Sequence, residues 1–242
     1  MKEHKALILA KKELHAVSYT PAFYGVALFF TLFCSIWLFY LQRFFTMNQA
    51  SLRPFFAAFP VAFILVVPMI TMKSWAEERK IGSMELLLTL PFSEWDLVTG
   101  KFIACMAEIA VLLILTLPVP LGVMGLGRFD GGVIAGEYLG ALLLGSSAAA
   151  LGLLLSSLSK SQAGAFLGSA SVLVVTMLIN NVSAGMNLPR GVTGALNFVS
   201  LAFHFESFSR GIIDTRDLGF FVISTVLFLF LNTRVILFRK WR

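Results

Sequence analysis

An all-α, polytopic membrane fold is what this sequence predicts, and three observations carry the prediction. Hydrophobic residues make up 58% of the chain and charged residues 13%, with a mean hydropathy of +0.86, whereas a soluble domain carries about a quarter charged residues. The apolar residues gather into six runs, each long enough to supply the roughly 20 residues that cross a hydrocarbon core. Lys and Arg fall unevenly on alternate connections between these runs, as orientation signals do. Nineteen basic against thirteen acidic residues leave a net +6. In so apolar a chain that excess fits membrane orientation, with lipid as the surrounding partner, and no nucleic-acid partner is expected.

Residues 1–20 come first. Leu7, Ile8, Lys11, Lys12 and Leu14 fit a short amphipathic helix with a basic face, and Pro21 marks a bend before the first span. Such a segment either lies in the membrane interface or serves only as a charged topogenic flank, and the sequence leaves both open. It has no continuous apolar core with a cleavage-type ending, so a cleaved signal peptide is not expected.

The spans are read at 22–41, 55–73, 102–126, 134–157, 163–183 and 218–237. The fourth and fifth are rich in Gly, Ala and Ser, which let helix backbones approach closely, and are expected to pack tightly inside the bundle. Cys34 and Cys105 lie in apolar runs and read as small packing residues, with no disulfide or metal site expected. With a cytoplasmic N-terminus, that side holds Lys2, Lys5, Lys11, Lys12, Lys73, Arg79, Lys80, Lys101, Lys160, Arg234, Arg239, Lys240 and Arg242. The other side holds only Arg43, Arg53, Arg128, Arg190, Arg210 and Arg216. The excess places both termini in the cytoplasm. No soluble-type boundary, repeat or low-complexity linker interrupts the chain, so residues 1–242 form one membrane domain.

Residues 74–100 then make a cytoplasmic connection longer than a simple return requires. Trp75 and the run Glu77, Glu78, Arg79, Lys80 lead to a Gly82-Ser83 break, followed by Met84, Glu85, Leu86, Leu87, Leu88, Thr89 and Leu90 and stopped by Pro91. Ser83 at an N-cap position, Glu85 in the first turn and Pro91 at the end predict a short helix that cannot cross the membrane. A second helix start follows at Ser93, with Glu94 and Asp96 in its first turn, and runs into the third span through Lys101 and Phe102. The short helix has an apolar stripe that suits either a socket on another protein or the surface of its own bundle, and periodicity does not choose.

Residues 184–217 form the long connection on the far side, where 195–209 could be an amphipathic or re-entrant helix. His204 and Glu206 lie two apart, on different faces of a helix, and read as locally bonded polar residues and not as metal ligands. Arg210, Asp214, Arg216 and Asp217 read as interfacial anchors or loop-ordering ion pairs. Glu108 falls within the third span, where a carboxylate is costly; it either serves a pathway or subunit interface or has a snorkelled or helix-paired structural role. Asn180 and Asn181 pose the same choice. Glu137 is explained by the dipole at the start of the fourth helix.

Taken in order, Glu77-Glu78-Arg79-Lys80, Gly82-Ser83, Glu85-Leu86-Leu87-Leu88 and Pro91, followed by Lys101-Phe102, resemble the signature cytoplasmic segment of type-2 ABC exporter permeases, particularly the gliding-motility-type branch. Lys12-Glu13-Leu14 with Pro21 is similar to that family's N-terminal interfacial segment. Phe205-Glu206-Ser207-Phe208 through Gly211, Asp214 and Leu218 is similar to its region before the last helix.

The resemblance implies a membrane subunit of a bacterial inner-membrane transporter, working as a homodimer or with a second, similar permease. It also implies two cytoplasmic ATPase subunits, and in the gliding-motility branch an extracytoplasmic auxiliary protein can accompany them. Residues 83–90 would be the coupling helix, with Glu77, Glu78, Arg79 and Lys80 at its approach, and short re-entrant helices would precede the last span. ATP and Mg2+ would belong to the partner. This chain carries no GxxxxGK[ST] phosphate loop, so no cofactor and no enzymatic activity are expected of it. The implied pathway between the second and fifth spans would be bounded by Phe59, Phe63, Met69, Phe166, Met177 and Asn180, an apolar set that leans toward lipidic, peptide or amphipathic cargo. Two other classes stand beside transport: a membrane scaffold for a motility or envelope complex, and a membrane enzyme, which would need polar residues clustered at one depth.

Overall fold

The computed structural model describes residues 3–46, 51–89, 92–127, 129–185 and 189–240. Six helices are long and apolar enough to cross a membrane, as the hydropathy predicts, and the described residues contain no strand. α1 (Glu3–Ser18) is followed at Pro21, in the first turn where its missing N–H costs nothing, by α2 (Pro21–Ile36), which ends in a π-turn at Trp37–Leu41. After the short α3 (Arg53–Phe56), α4 (Ala58–Ile81) carries the second span and α5 (Ser83–Thr89) follows it directly. α6 (Glu94–Thr116) is the third span. It ends before Pro118, which opens α7 (Pro118–Val123), so the third apolar run is broken and not one helix to residue 126. α8 (Gly131–Leu158) and α9 (Gln162–Gly185) are the fourth and fifth spans, α10 (Arg190–Val199) and α11 (Leu201–Ser209) divide the long connection at Ser200, and α12 (Thr215–Lys240) closes the chain. Six spanning helices bring α1 and the last turns of α12 to one end of the bundle, here called the terminal end.

The fourth and fifth spans, alike in composition, occupy different places. α8 is the central pillar, against which α4, α6, α9, α11 and α12 all pack. Its apolar stretch is 67% buried within the chain and that of α9 only 22%. The expectation that both sit inside the bundle therefore holds for α8 and fails for α9, because small residues permit close approach without requiring it.

Along the middle of α8 several small residues receive a specific neighbour. A Cβ at Gly140 would lie 2.6 Å from Cγ of Phe208 on α11, one at Gly145 would lie 3.0 Å from Ile109 on α6, and one at Gly152 would press into Thr71 on α4. Ser147 Oγ donates to the Phe221 carbonyl at 3.0 Å and shares a 2.8 Å contact with Ser224 Oγ, binding α8 to α12. Ser156 Oγ donates to the Met72 carbonyl at 3.2 Å, binding α8 to α4. The other wall of the core is aromatic: Phe30, Phe55, Phe56, Phe59 and Phe63 are fully buried, and Phe56 meets Tyr138 edge-on at 5.0 Å. Cys34 and Cys105 are free and buried.

Gly152→Ala should overpack the α4–α8 contact and cost about 1–3 kcal/mol, read as a lower unfolding temperature in detergent. Adding Thr71→Ala should restore most of the loss. An equal loss in the single and double variants would show that this contact does not limit packing.

Candidate functional site

At the terminal end, α4 does not stop at residue 73 but continues through Glu77, Glu78, Arg79 and Lys80 to Gly82. Gly82 takes a left-handed φ of 77°, which ends the helix and turns the chain into α5. Ser83 is the first residue of α5 and not a cap before it; its hydroxyl donates to the Glu78 carbonyl at 3.3 Å. Ser93 caps α6 in a capping box, accepting from the Asp96 amide at 3.2 Å while Asp96 Oδ2 accepts from the Ser93 amide at 3.0 Å.

The charged run is divided by direction. Lys101, one of the orientation signals, is only 1% exposed. Its ammonium donates to Glu78 Oε1 at 2.7 Å and Glu13 Oε1 at 3.1 Å and lies 4.8 Å from the centre of the Trp75 ring. A buried ammonium is tolerable only when paired, and here the pairing joins α1, α4 and α6. Arg79 donates to the Ser159 and Ser157 carbonyls at 2.5 and 2.6 Å, placing a cation on the carbonyl-rich end of α8. Glu78 and Arg79 therefore brace the bundle.

Two residues of the α5 stripe turn inward: Met84 and Leu87 are buried in the core. Lys80, Glu85 and Ile81, the last 70% exposed, are left on the outer surface. Met84 and Leu87 therefore pack on the chain's own bundle. Leu90 and the side chains of Leu86 and Leu88 lie outside the described residues.

At the opposite end a pocket of about 160 Å³ opens between α4, α9 and α11. Met177 and Asn180 line it, together with Pro60, Val61, Phe205 and Glu206. Phe59 and Phe63, which were expected to bound the pathway, point instead into the aromatic core: Phe63 stacks on Phe30 at 5.7 Å. Phe166 is half-buried on the other half of α9. Glu108 is 6% exposed and does not snorkel; it belongs to none of the ion pairs found among the described residues.

The dipole explanation of Glu137 needs correcting. Asp130 caps α8, accepting from the Gly132 amide at 2.8 Å, and Glu137 lies two turns in, 1% exposed, with Oε1 lacking a hydrogen-bond partner. His204 and Glu206 separate as their spacing requires. His204 stacks on Phe220 at 3.8 Å and bonds Asp217 Oδ1 through Nδ1 at 2.7 Å, while Glu206 pairs on the surface with Arg210 at 2.5 Å. Asp214 Oδ1 accepts from the Arg216 amide at 2.9 Å at the start of α12.

The pattern that defines the ABC-2 family transporter proteins matches residues 7–231, from the amphipathic α1 to the last span. The chain belongs to the ABC-2 transporter family. Among curated relatives, it is 29% identical over 147 residues to a protein named "Probable multidrug ABC transporter permease YbhR" from Escherichia coli K12, and likewise to that of Escherichia coli O157:H7. The matched region is 60% of this chain and 39% of the relative's length. Family membership and six apolar helices make this ABC-2 protein an integral membrane protein.

Sequence reasoning missed Lys101 as a structural node. Glu13 and Lys101 are 88 positions apart, and no local spacing marks them as partners. Lys101→Met should leave two acids facing each other without their cation, at a cost of about 3–5 kcal/mol, measured as a lower unfolding temperature in detergent. Glu13→Gln and Glu78→Gln, which keep the cation paired once, should each cost less. A Lys101→Met protein as stable as the wild type would refute the node.

Proposed function

We propose that this chain is the membrane-spanning permease subunit of an ATP-driven exporter, receiving its driving force from a separate ATPase. One observation carries the reading. Lys101 ties α1, α4 and α6 into one unit, while Lys80, Ile81 and Glu85 stand exposed on the same end. A surface of this kind suits a load applied from outside, because a push on the α4–α5 corner reaches α1 and α6 through paired charges. Family membership supports ATPase subunits as partners, since the membrane subunits of this family do not hold the nucleotide. ATP and Mg2+ would be bound there, with two ATPases and a second permease, most simply another copy of this chain.

By the distribution of basic residues the terminal end would be cytoplasmic, in a bacterial inner membrane. The pocket at the opposite end, apolar beneath and polar at Asn180 and Glu206, would be the outer mouth of the pathway. Its lining and the multidrug name of the Escherichia coli relative favour an amphipathic organic cargo. An extracytoplasmic auxiliary protein of the gliding-motility type would sit over this mouth.

The test is affinity capture of the full chain from detergent-solubilised native membranes, with the co-purifying proteins identified. An ABC ATPase should accompany the wild type and be lost with Ile81→Asp plus Glu85→Arg, two exposed positions whose change leaves Met84 and Leu87 in place. Recovery of no ATPase even after crosslinking would refute the permease reading and favour a membrane scaffold.

A further inference from the structure

We infer that the groove between α1 and α6 binds an anionic glycerophospholipid from the leaflet at the terminal end, with an acyl chain in the groove and the phosphate on Lys11. The groove is a cavity of about 350 Å³ lined by Leu7, Ile8, Ala10, Lys11 and Leu14 of α1 and by Ile103 of α6. It exists because α1 is pinned elsewhere. At Gly100 the two helices approach so closely that a Cβ would lie 2.9 Å from the Ala6 carbonyl and from Leu9. Lys101 then holds Glu13 at 3.1 Å. Ile103, three residues farther along α6, is left partly uncovered, and beside it Leu7 and Ile8 are 59% and 63% exposed.

The lining selects its occupant. It is apolar apart from Lys11, which is exposed and forms no ion pair among the described residues. An apolar trough with a cation at its rim complements an acyl chain beneath a phosphate, at the level where a basic amphipathic helix meets lipid headgroups. A second copy of the chain would bring the same basic α1 against Lys11, and like charges disfavour that arrangement. The inference rests on membrane embedding alone and is independent of the transport reading.

The experiment is native mass spectrometry of the full chain, with any partner that co-purifies, released from detergent after addition of phosphatidylglycerol or phosphatidylcholine with identical acyl chains. Phosphatidylglycerol should be retained in preference. Lys11→Ala should cut that preference about fivefold, the change that roughly 1 kcal/mol per basic residue at an anionic surface gives, and leave phosphatidylcholine retention unchanged. Ile103→Trp should lower retention of both lipids by filling the groove. Leu14→Trp fills it from the other wall should the first variant fail to elute as a single species with native helix content. Lys160→Ala, on the same end at the α8–α9 turn, should change nothing. An unchanged preference in Lys11→Ala, or an equal loss in Lys160→Ala, would reduce the effect to diffuse surface charge and overturn the site. Disappearance of a dimer with Ile103→Trp, at constant lipid retention, would assign the groove to a second copy.

Discussion

In hydrocarbon, helices gain little by hiding apolar surface from one another, because the surrounding lipid is equally apolar. What holds them is close van der Waals contact and buried hydrogen bonds. α8 supplies both. Its Gly140, Gly145 and Gly152 admit Phe208, Ile109 and Thr71, and its serines bond α12 and α4. Because α4, α6, α11 and α12 are all positioned on this helix, its lack of side-chain volume sets where the corner at the terminal end and the pocket at the opposite end can form. Aromatic bulk from α2, α3 and α4 fills the remaining side, where the α8 surface offers Tyr138.

The terminal end has a different logic, that of a charge kept from water. Lys101 is stabilised there only because Glu13, Glu78 and Trp75 converge on it, so the positions of α1 and the end of α4 are mutually dependent. Pinning α1 at this point also opens the trough beside Ile103, which links the ionic node to lipid contact. The same run of four charged residues thus does two jobs. Glu78 and Arg79 stabilise the bundle, and Lys80, with Ile81 beyond it, is presented outward.

At the opposite end the connection between α9 and α12 is organised by His204 and Asp217, which tie α11 to α12, while Ser200 caps α11 by accepting from the Phe203 amide at 3.2 Å. Arg53 reaches across from α3 to donate to the Ser209 carbonyl at 2.6 Å. These contacts fix α11 to α12 and to α3, and so position Phe205 and Glu206 in the pocket. None of them involves residues close in sequence except the cap.

Six spans, the stop at Gly82, the capped start at Ser93 and membrane residence were legible in the sequence, because each follows from hydropathy over about 20 residues or from chemistry within one helical turn. The motifs of residues 77–102 also identified the family. The partners of Lys101, the inward turn of Met84 and Leu87, the burial of Glu137 and the inward direction of Phe59 and Phe63 were not legible. A helix can rotate about its axis without altering its local pattern, and in lipid an apolar side chain is equally at home facing protein or solvent tails. The sequence by itself therefore determined which segments are helices and that they cross a membrane. Only the tertiary structure decided which face of each helix turns inward, because that choice depends on contacts between residues tens of positions apart.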